Sequence, residues 1–251
     1  APVISCPNDV NLYTITNTCA ANFDIPDSIT DNCTGATWGY SLSGATTGSD
    51  FTLDDGYSSG NISFNKGITT VTLSGSDGVN NATTCSFTVT VIDNEAPVVY
   101  CASNQTISTI TGTCAADFII IDSIFDNCTN STWGYSLGGA TTNTIVTGIA
   151  QGTDASAVSL NKGTTTITLS GIDASGNVAT GCSYTVTVVD DEAPVITCPS
   201  NQTFNVIAST CAATTDILDA LSDNCTGSTW GYTLSGATTS GAITGIADGT
   251  N

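Results

Sequence analysis

The chain repeats itself, and its cysteines mark the period. Cys6, Cys19 and Cys33 recur as Cys101, Cys114 and Cys128, then as Cys198, Cys211 and Cys225, at offsets of 95 and 97 residues; Cys85 recurs as Cys182. Self-similarity at a fixed period means that one supersecondary unit is reused, so the fold has to be read per repeat. The units are residues 1–95, 96–192 and 193–251. The 11 cysteines divide as four, four and three, because residue 251 falls before the position of a fourth cysteine in the last unit. The odd count therefore reads as the trace of a longer tandem array and not as a reactive thiol. The third unit is then expected to lack its last two strands, unless a neighbouring subunit lends them by strand addition.

Four cysteines per repeat, with no histidine and no Cys-x-x-Cys pair, point to disulfides and not to zinc. They place the chain outside the cell, in an oxidising compartment. The charge balance narrows its partners. Two lysines, no arginine and 22 acidic residues give a formal charge of −20, which leaves nothing to neutralise a phosphate backbone or an anionic membrane face. Without histidine or arginine, His-based triads, imidazole metal sites and arginine fingers are also excluded. No apolar run is long enough to span a bilayer.

The end of each repeat alternates apolar and polar residues without a break, as Cys85-Ser86-Phe87-Thr88-Val89-Thr90-Val91 and again from Cys182 to Val188. Period two with β-branched residues predicts a half-buried strand. Residues 69–73 and 165–169 alternate likewise, and the Asp- and Gly-containing linkers 76–80 and 173–177 predict hairpin turns. Further strands are expected at 3–6, 10–15, 19–25 and 38–42. About seven short strands per repeat and no helix signal argue for an all-β fold of tandem immunoglobulin-like antiparallel β-sandwich domains in a linear rod. Asp93-Asn94-Glu95-Ala96-Pro97 and Asp190-Asp191-Glu192-Ala193-Pro194 form the joints, which proline should stiffen.

These motifs carry a resemblance. Cys198-Pro199-Ser200-Asn201, the Asp-Asn-Cys triplets ending at Cys33, Cys128 and Cys225, the Lys-Gly-x-Thr-Thr-x-Thr stretches from Lys66 and Lys162, and the closing Cys-Ser-aromatic-Thr-Val-Thr-Val strand together resemble the hyalin repeat module. The resemblance implies an immunoglobulin-like fold and a role in extracellular adhesion or matrix building. Cys101-Ala102 stands where the motif has Cys-Pro, and the extra cysteine pair of animal members is absent.

Three disulfide connectivities are open to each repeat. Cys19 shares a strand face with Ala21, Phe23 and Ile25, and Cys85 shares one with Phe87, Val89 and Val91, so the expected pairs are Cys6-Cys33, Cys19-Cys85, Cys101-Cys128, Cys114-Cys182 and Cys198-Cys225. Both glutamates lie in the joints. Asp93, Glu95, Asp126, Asp173, Asp190, Glu192 and Asp223 fall at domain poles, where gathered carboxylates suit Ca2+; a solvated cluster of turn formers accounts for the same residues. All three tryptophans occupy a Trp-Gly-Tyr motif, at Trp38, Trp133 and Trp230. They read as core residues, with sugar stacking as the alternative. Asn-Lys-Gly at Lys66 and Lys162 reads as an exposed turn, with an isopeptide cross-link as its alternative. N-glycosylation sequons occur at Asn32, Asn61, Asn81, Asn104, Asn127, Asn130, Asn201 and Asn224, and Ser28 and Ser123 resemble O-glycan acceptors.

The function these features support is structural: a secreted segment of a fibre or adhesin stalk, without catalysis, meeting neighbouring chains of a filament or surface glycans. A carbohydrate-binding module array attached to a secreted enzyme is the alternative.

Overall fold

Alternation along the chain becomes two-layered packing in space. The structure, a computed structural model, describes residues 1–27, 29–218 and 221–250, and every regular element among them is a β-strand. Repeat 1 contains β1 (Val3–Ile4), β2 (Val10–Tyr13), β3 (Ala20–Asp24), β4 (Ile29–Thr30), β5 (Thr37–Gly44), β6 (Gly48–Asp54), β7 (Asn61–Asn65), β8 (Gly67–Ser76) and β9 (Cys85–Ile92). A five-stranded sheet runs β2-β9-β8-β5-β6; β2 joins β9 in parallel and the other pairings are antiparallel. The pairs β3-β7 and β1-β4 make the facing layer. Ala21, Ile25 and Phe64 from that layer pack with Trp38, Val71, Leu73, Val89 and Val91 from the large sheet.

Repeat 2 builds the same object from β10 (Val98–Val99), β11 (Gln105–Ser108), β12 (Ala115–Phe118), β13 (Ile124–Phe125), β14 (Thr132–Gly139), β15 (Val146–Ala150), β16 (Val158–Asn161), β17 (Gly163–Ile172) and β18 (Cys182–Val189), with the large sheet ordered β11-β18-β17-β14-β15. Its core centres on Trp133, Leu160, Ile167, Leu169 and Val186. The chain is thus all-β, with immunoglobulin-like sandwiches in tandem. Both hairpin turns close as expected, through Asp77 N donating to Asn80 O and Asp173 N donating to Asn177 O. Amides of Asn80 and Val79, with the Asn80 side chain, hold the Asp77 carboxyl down at about 2.

Strands β6 and β7, and their counterparts β15 and β16, carry too weak an alternation to be read from the sequence. Gly48–Asp54 is a sheet edge with neither face buried, and in Asn61–Asn65 only Phe64 is fully covered. In repeat 3, β19 (Val195–Ile196) pairs with β20 (Leu221–Ser222), and β21 (Thr229–Tyr232) with β22 (Ile243–Ala247). Phe204, the counterpart of Ile107 in β11, and Val206 and Ile207, the counterparts of the residues just after it, stand exposed. No helix among the described residues is long and apolar enough to cross a membrane.

The Trp-Gly-Tyr motif is a structural device. Trp38, Trp133 and Trp230 are 1%, 2% and 8% exposed, so none offers a ring face to a sugar. The indole N–H of Trp38 donates to Tyr57 O and that of Trp133 to Thr153 O. Between Trp and Tyr the register slips in all three repeats, pressing the glycine against the edge strand. A Cβ on Gly39, Gly134 or Gly231 would stand 2.3, 2.1 or 2.2 Å from a backbone oxygen of that strand.

Candidate functional site at the joints between repeats

The disulfides correct the sequence expectation at every pair. Cys6 bonds Cys85 and Cys101 bonds Cys182, while Cys19 bonds Cys128 and Cys114 bonds Cys225 across the joints. Cys33, Cys198 and Cys211 are free and exposed. None of Cys6-Cys33, Cys19-Cys85, Cys101-Cys128, Cys114-Cys182 or Cys198-Cys225 forms.

The reason is height along the strands. Cys85 lies opposite Leu73, whereas Val91, at the other end of β9, lies opposite Gly67. Cys19 is at that second end, since its carbonyl accepts Lys66 N. Six strand residues separate the two levels by roughly 20 Å, against about 7 Å for a bridgeable Cα pair. Cys6 belongs beside Cys85 because β2 runs parallel to β9 with Val10 opposite Val89, and the same register carried four residues back meets Cys85. Cys19 and Cys114 are left at the downstream pole, where only the next repeat can reach them. There the Cα atoms of each inter-repeat pair stand 4.9 Å apart.

Hydrogen bonds repeat the staple. Asn127 Nδ2 donates to Thr18 O at 2.8 Å, and Asn224 Nδ2 to Thr113 O at 2.7 Å. The joint glutamates brace the same corner: Glu95 Oε2 accepts Asn17 N and Glu192 Oε2 accepts Gly112 N, both at 2.8 Å. Asn17 and Gly112 have φ of 62° and 74°, a left-handed turn that presents the amide to the carboxylate. Two sequons therefore have their asparagines committed to the joints, at Asn127 and Asn224. Asn61, Asn81, Asn104, Asn130 and Asn201 are exposed and Ser123 is half-buried; Ser28 lies outside the described residues.

At the first joint, Asp93, Asp126 and Asp173 come together with one ligand oxygen each inside a 4.8 Å span. Asp93 is buried, accepting from Glu95 N, Asn127 Nδ2, Ser175 Oγ and Lys66 Nζ. Burial would push its carboxyl up, but the Glu95 amide and the Lys66 ammonium outweigh it and hold it below the usual range. Asp126 goes the other way. Burial pushes it up against the Ser131 hydroxyl bond, and the charges of Asp93 and Asp173 add to the rise. Glu95 and Glu192 are occupied with backbone amides and stand apart from this group. At the second joint Asp190 pairs with Lys162, whose hydrogen bond holds its carboxyl low. Asp223 accepts Ser228 Oγ.

Both lysines are therefore joint residues and more than exposed turns. Lys66 Nζ lies 3.2 Å from Asp93 Oδ2, and Lys162 Nζ 3.0 Å from Asp190 Oδ2. The side chains are 26% and 0% exposed in the first pair, 43% and 9% in the second. Lys66→Met strands a buried carboxylate and is expected to cost about 1.5–3 kcal/mol, whereas Lys162→Met, at a wetter pair, should cost less. Urea unfolding of the two variants checks this; equal losses would contradict the assigned burial.

No protein-family model matches the chain, and no curated protein sequence matches it. Among solved structures, the fibronectin(III)-like modules of Clostridium thermocellum CbhA are similar over 76% of this chain and 95% of theirs, at 16% identity and a TM-score of 0.31. Human mucin-like protocadherin EC1-2 is similar over 76% of this chain and 98% of its own, at 13% identity and a TM-score of 0.33. Drosophila N-cadherin EC1-3 matches 75% of this chain and 67% of its own, at 15% identity and a TM-score of 0.29.

Proposed function

We propose that the chain is a load-bearing segment of an extracellular fibre or cell-surface adhesin stalk, built from hyalin-type repeats and without catalytic duty. The observation that carries this reading is the pair of disulfides across the joints, Cys19–Cys128 and Cys114–Cys225. A single linker strand lets neighbouring domains pivot; a second covalent attachment beside it removes most of that freedom. Bonds of this kind persist in an oxidising compartment, which supports a location outside the cell. Exposed sequons at Asn61, Asn81, Asn104, Asn130 and Asn201 and a Thr- and Ser-rich surface fit a glycosylated fibre. Burial of all three tryptophans speaks against the carbohydrate-binding alternative.

Calcium at the first joint belongs to this reading. Asp126 Oδ1 and Asn127 Oδ1 are buried without a hydrogen-bond partner, and oxygens about 2.4 Å from a shared ion stand up to about 4.8 Å apart, the span of the Asp93, Asp126 and Asp173 group. Asp126, Asp173 and Asp93 would hold the ion between repeats. Electron micrographs of the native material should show filaments with an axial period near one repeat, and a chelator should soften them and lower their unfolding temperature. Discrete globular particles would contradict the fibre; unchanged stiffness and unfolding in chelator would contradict the calcium.

A further inference from the structure

At the first joint, β10 and β13 turn one face to the core of repeat 2 and the other to solvent. Val99 and Ile124 are buried, whereas Val98, Tyr100 and Phe125 alternate with them and are exposed, the two aromatics by 60% and 67%. The Tyr100 and Phe125 rings meet edge to face, with centroids 6.3 Å apart at 76°, which leaves an open corner. They line a groove of about 490 Å³ to which the joint contributes Asn17, Glu95 and Asp126.

This aromatic corner has no task in holding the repeats together. The equivalent positions are Ser5 and Thr30 in repeat 1, and Thr197 and Ser222 in repeat 3. The second joint keeps the same register, with Val195 opposite Ser222 as Val98 is opposite Phe125. It also keeps the disulfide and the asparagine bond without either ring. Large rings held in water with no structural return mark a surface that meets a partner.

The walls decide which partner fits. Asp126 lines the groove and has Oδ1 buried without a hydrogen-bond partner, and Asp93 and Asp173 bring carboxylate oxygens within 4.8 Å of its own. Glu95 lines the same groove. Against these four carboxylates stands one ammonium, that of Lys66 on Asp93, so the corner stays net negative even with a divalent ion between the repeats. Lys162 is paired with Asp190 at the second joint. Both lysines of these repeats are therefore committed, and a cation for the groove has to come from a partner of different composition.

We infer that the groove seats an arginine side chain from a basic segment of a partner protein. The face of a guanidinium stacks on an aromatic ring while its N–H fork reaches carboxylate oxygens beside it. An aromatic corner flanked by carboxylates in excess offers both contacts at once. The inference goes beyond the load-bearing reading and is independent of fibre formation: it gives the side of the segment a place to bind.

The test uses the whole oxidised chain and follows the ring signals of Tyr100 and Phe125 by NMR as acetyl-Gly-Arg-Gly-amide is added. Both rings should shift to saturation, and the same peptide with citrulline, the neutral isostere of arginine, should bind about tenfold more weakly. Tyr100→Thr and Phe125→Ser install the residues that repeat 3 carries, so each should unfold at the parent temperature yet lose about fivefold in affinity, read from the remaining ring. Glu95→Gln keeps an oxygen for Asn17 N and should weaken binding likewise. Rings that do not shift, equal binding of the arginine and citrulline peptides, or binding unchanged in the two aromatic variants would overturn the inference. So would larger ring shifts with cellobiose than with the arginine peptide, which would make the groove a sugar seat.

Discussion

Pulled from both ends, the oxidised chain should lengthen far less than its residue count allows. Load entering at residue 1 crosses from Cys6 to Cys85, follows the chain to Cys101, and crosses again to Cys182. Only the stretch from Cys85 to Cys101 can be drawn out between those bridges, roughly 55 Å at the ~3.4 Å per residue of extended chain. With disulfides reduced, each of the first two repeats should release roughly 300 Å. The inter-repeat bonds add a second covalent track, from Cys19 to Cys128 and from Cys114 to Cys225. A variant with serine at Cys6, Cys85, Cys101 and Cys182 should therefore still resist extension by force spectroscopy until it is reduced. Full-length increments from that oxidised variant would show that the joints are not bridged.

The second large effect is expected at the Trp-Gly-Tyr strand. Trp133→Ala empties a core position that is 2% exposed and should destabilise repeat 2 by about 3–5 kcal/mol. Gly134→Ala adds a single carbon where the Val146 carbonyl leaves 2.1 Å, and displacing the edge strand β15 should cost about 1–3 kcal/mol or more. Gly138, in the same strand, has nothing within 4 Å of an added Cβ, so Gly138→Ala should change stability little. Calorimetric unfolding of the three variants compares them; a Gly134→Ala chain as stable as Gly138→Ala would refute the close approach.

The strands that could be read from the sequence are those with one buried and one open face. Phe87, Val89 and Val91 alternate with Ser and Thr and turn out to line the core, and the Asp-Gly hairpin beside them closes as its residues require. Edge strand β6 was hidden because an edge with both faces wet has no hydrophobic period. Three of the seven joint carboxylates, Asp93, Asp126 and Asp173, meet as their loop positions suggested. The two glutamates do not join them, because a backbone amide in a left-handed turn claims each one.

The disulfides show the limit of alternation most clearly. It places Cys19 and Cys85 on inward-pointing registers, yet parity says nothing about how far along the strand a residue lies. That distance is set by the parallel pairing of β2 with β9, a contact between segments some 80 positions apart, with Cys6 and Cys85 separated by 79. Only the regularity of the repeat, which puts an identical Asp-Asn-Cys loop in the next unit, hints that Cys19 is meant for a neighbour. The roles of Lys66 and Lys162 were hidden likewise, since their partners Asp93 and Asp190 lie 27 and 28 residues away.

Covalent stapling of successive repeats is the centre of this account, and peptide mapping of the unreduced protein tests it most directly. Digestion without reductant should yield Cys19 joined to Cys128 and Cys114 joined to Cys225, beside Cys6–Cys85 and Cys101–Cys182. Cys19 or Cys114 joined to a cysteine of its own repeat, as in Cys19 with Cys85, would contradict it.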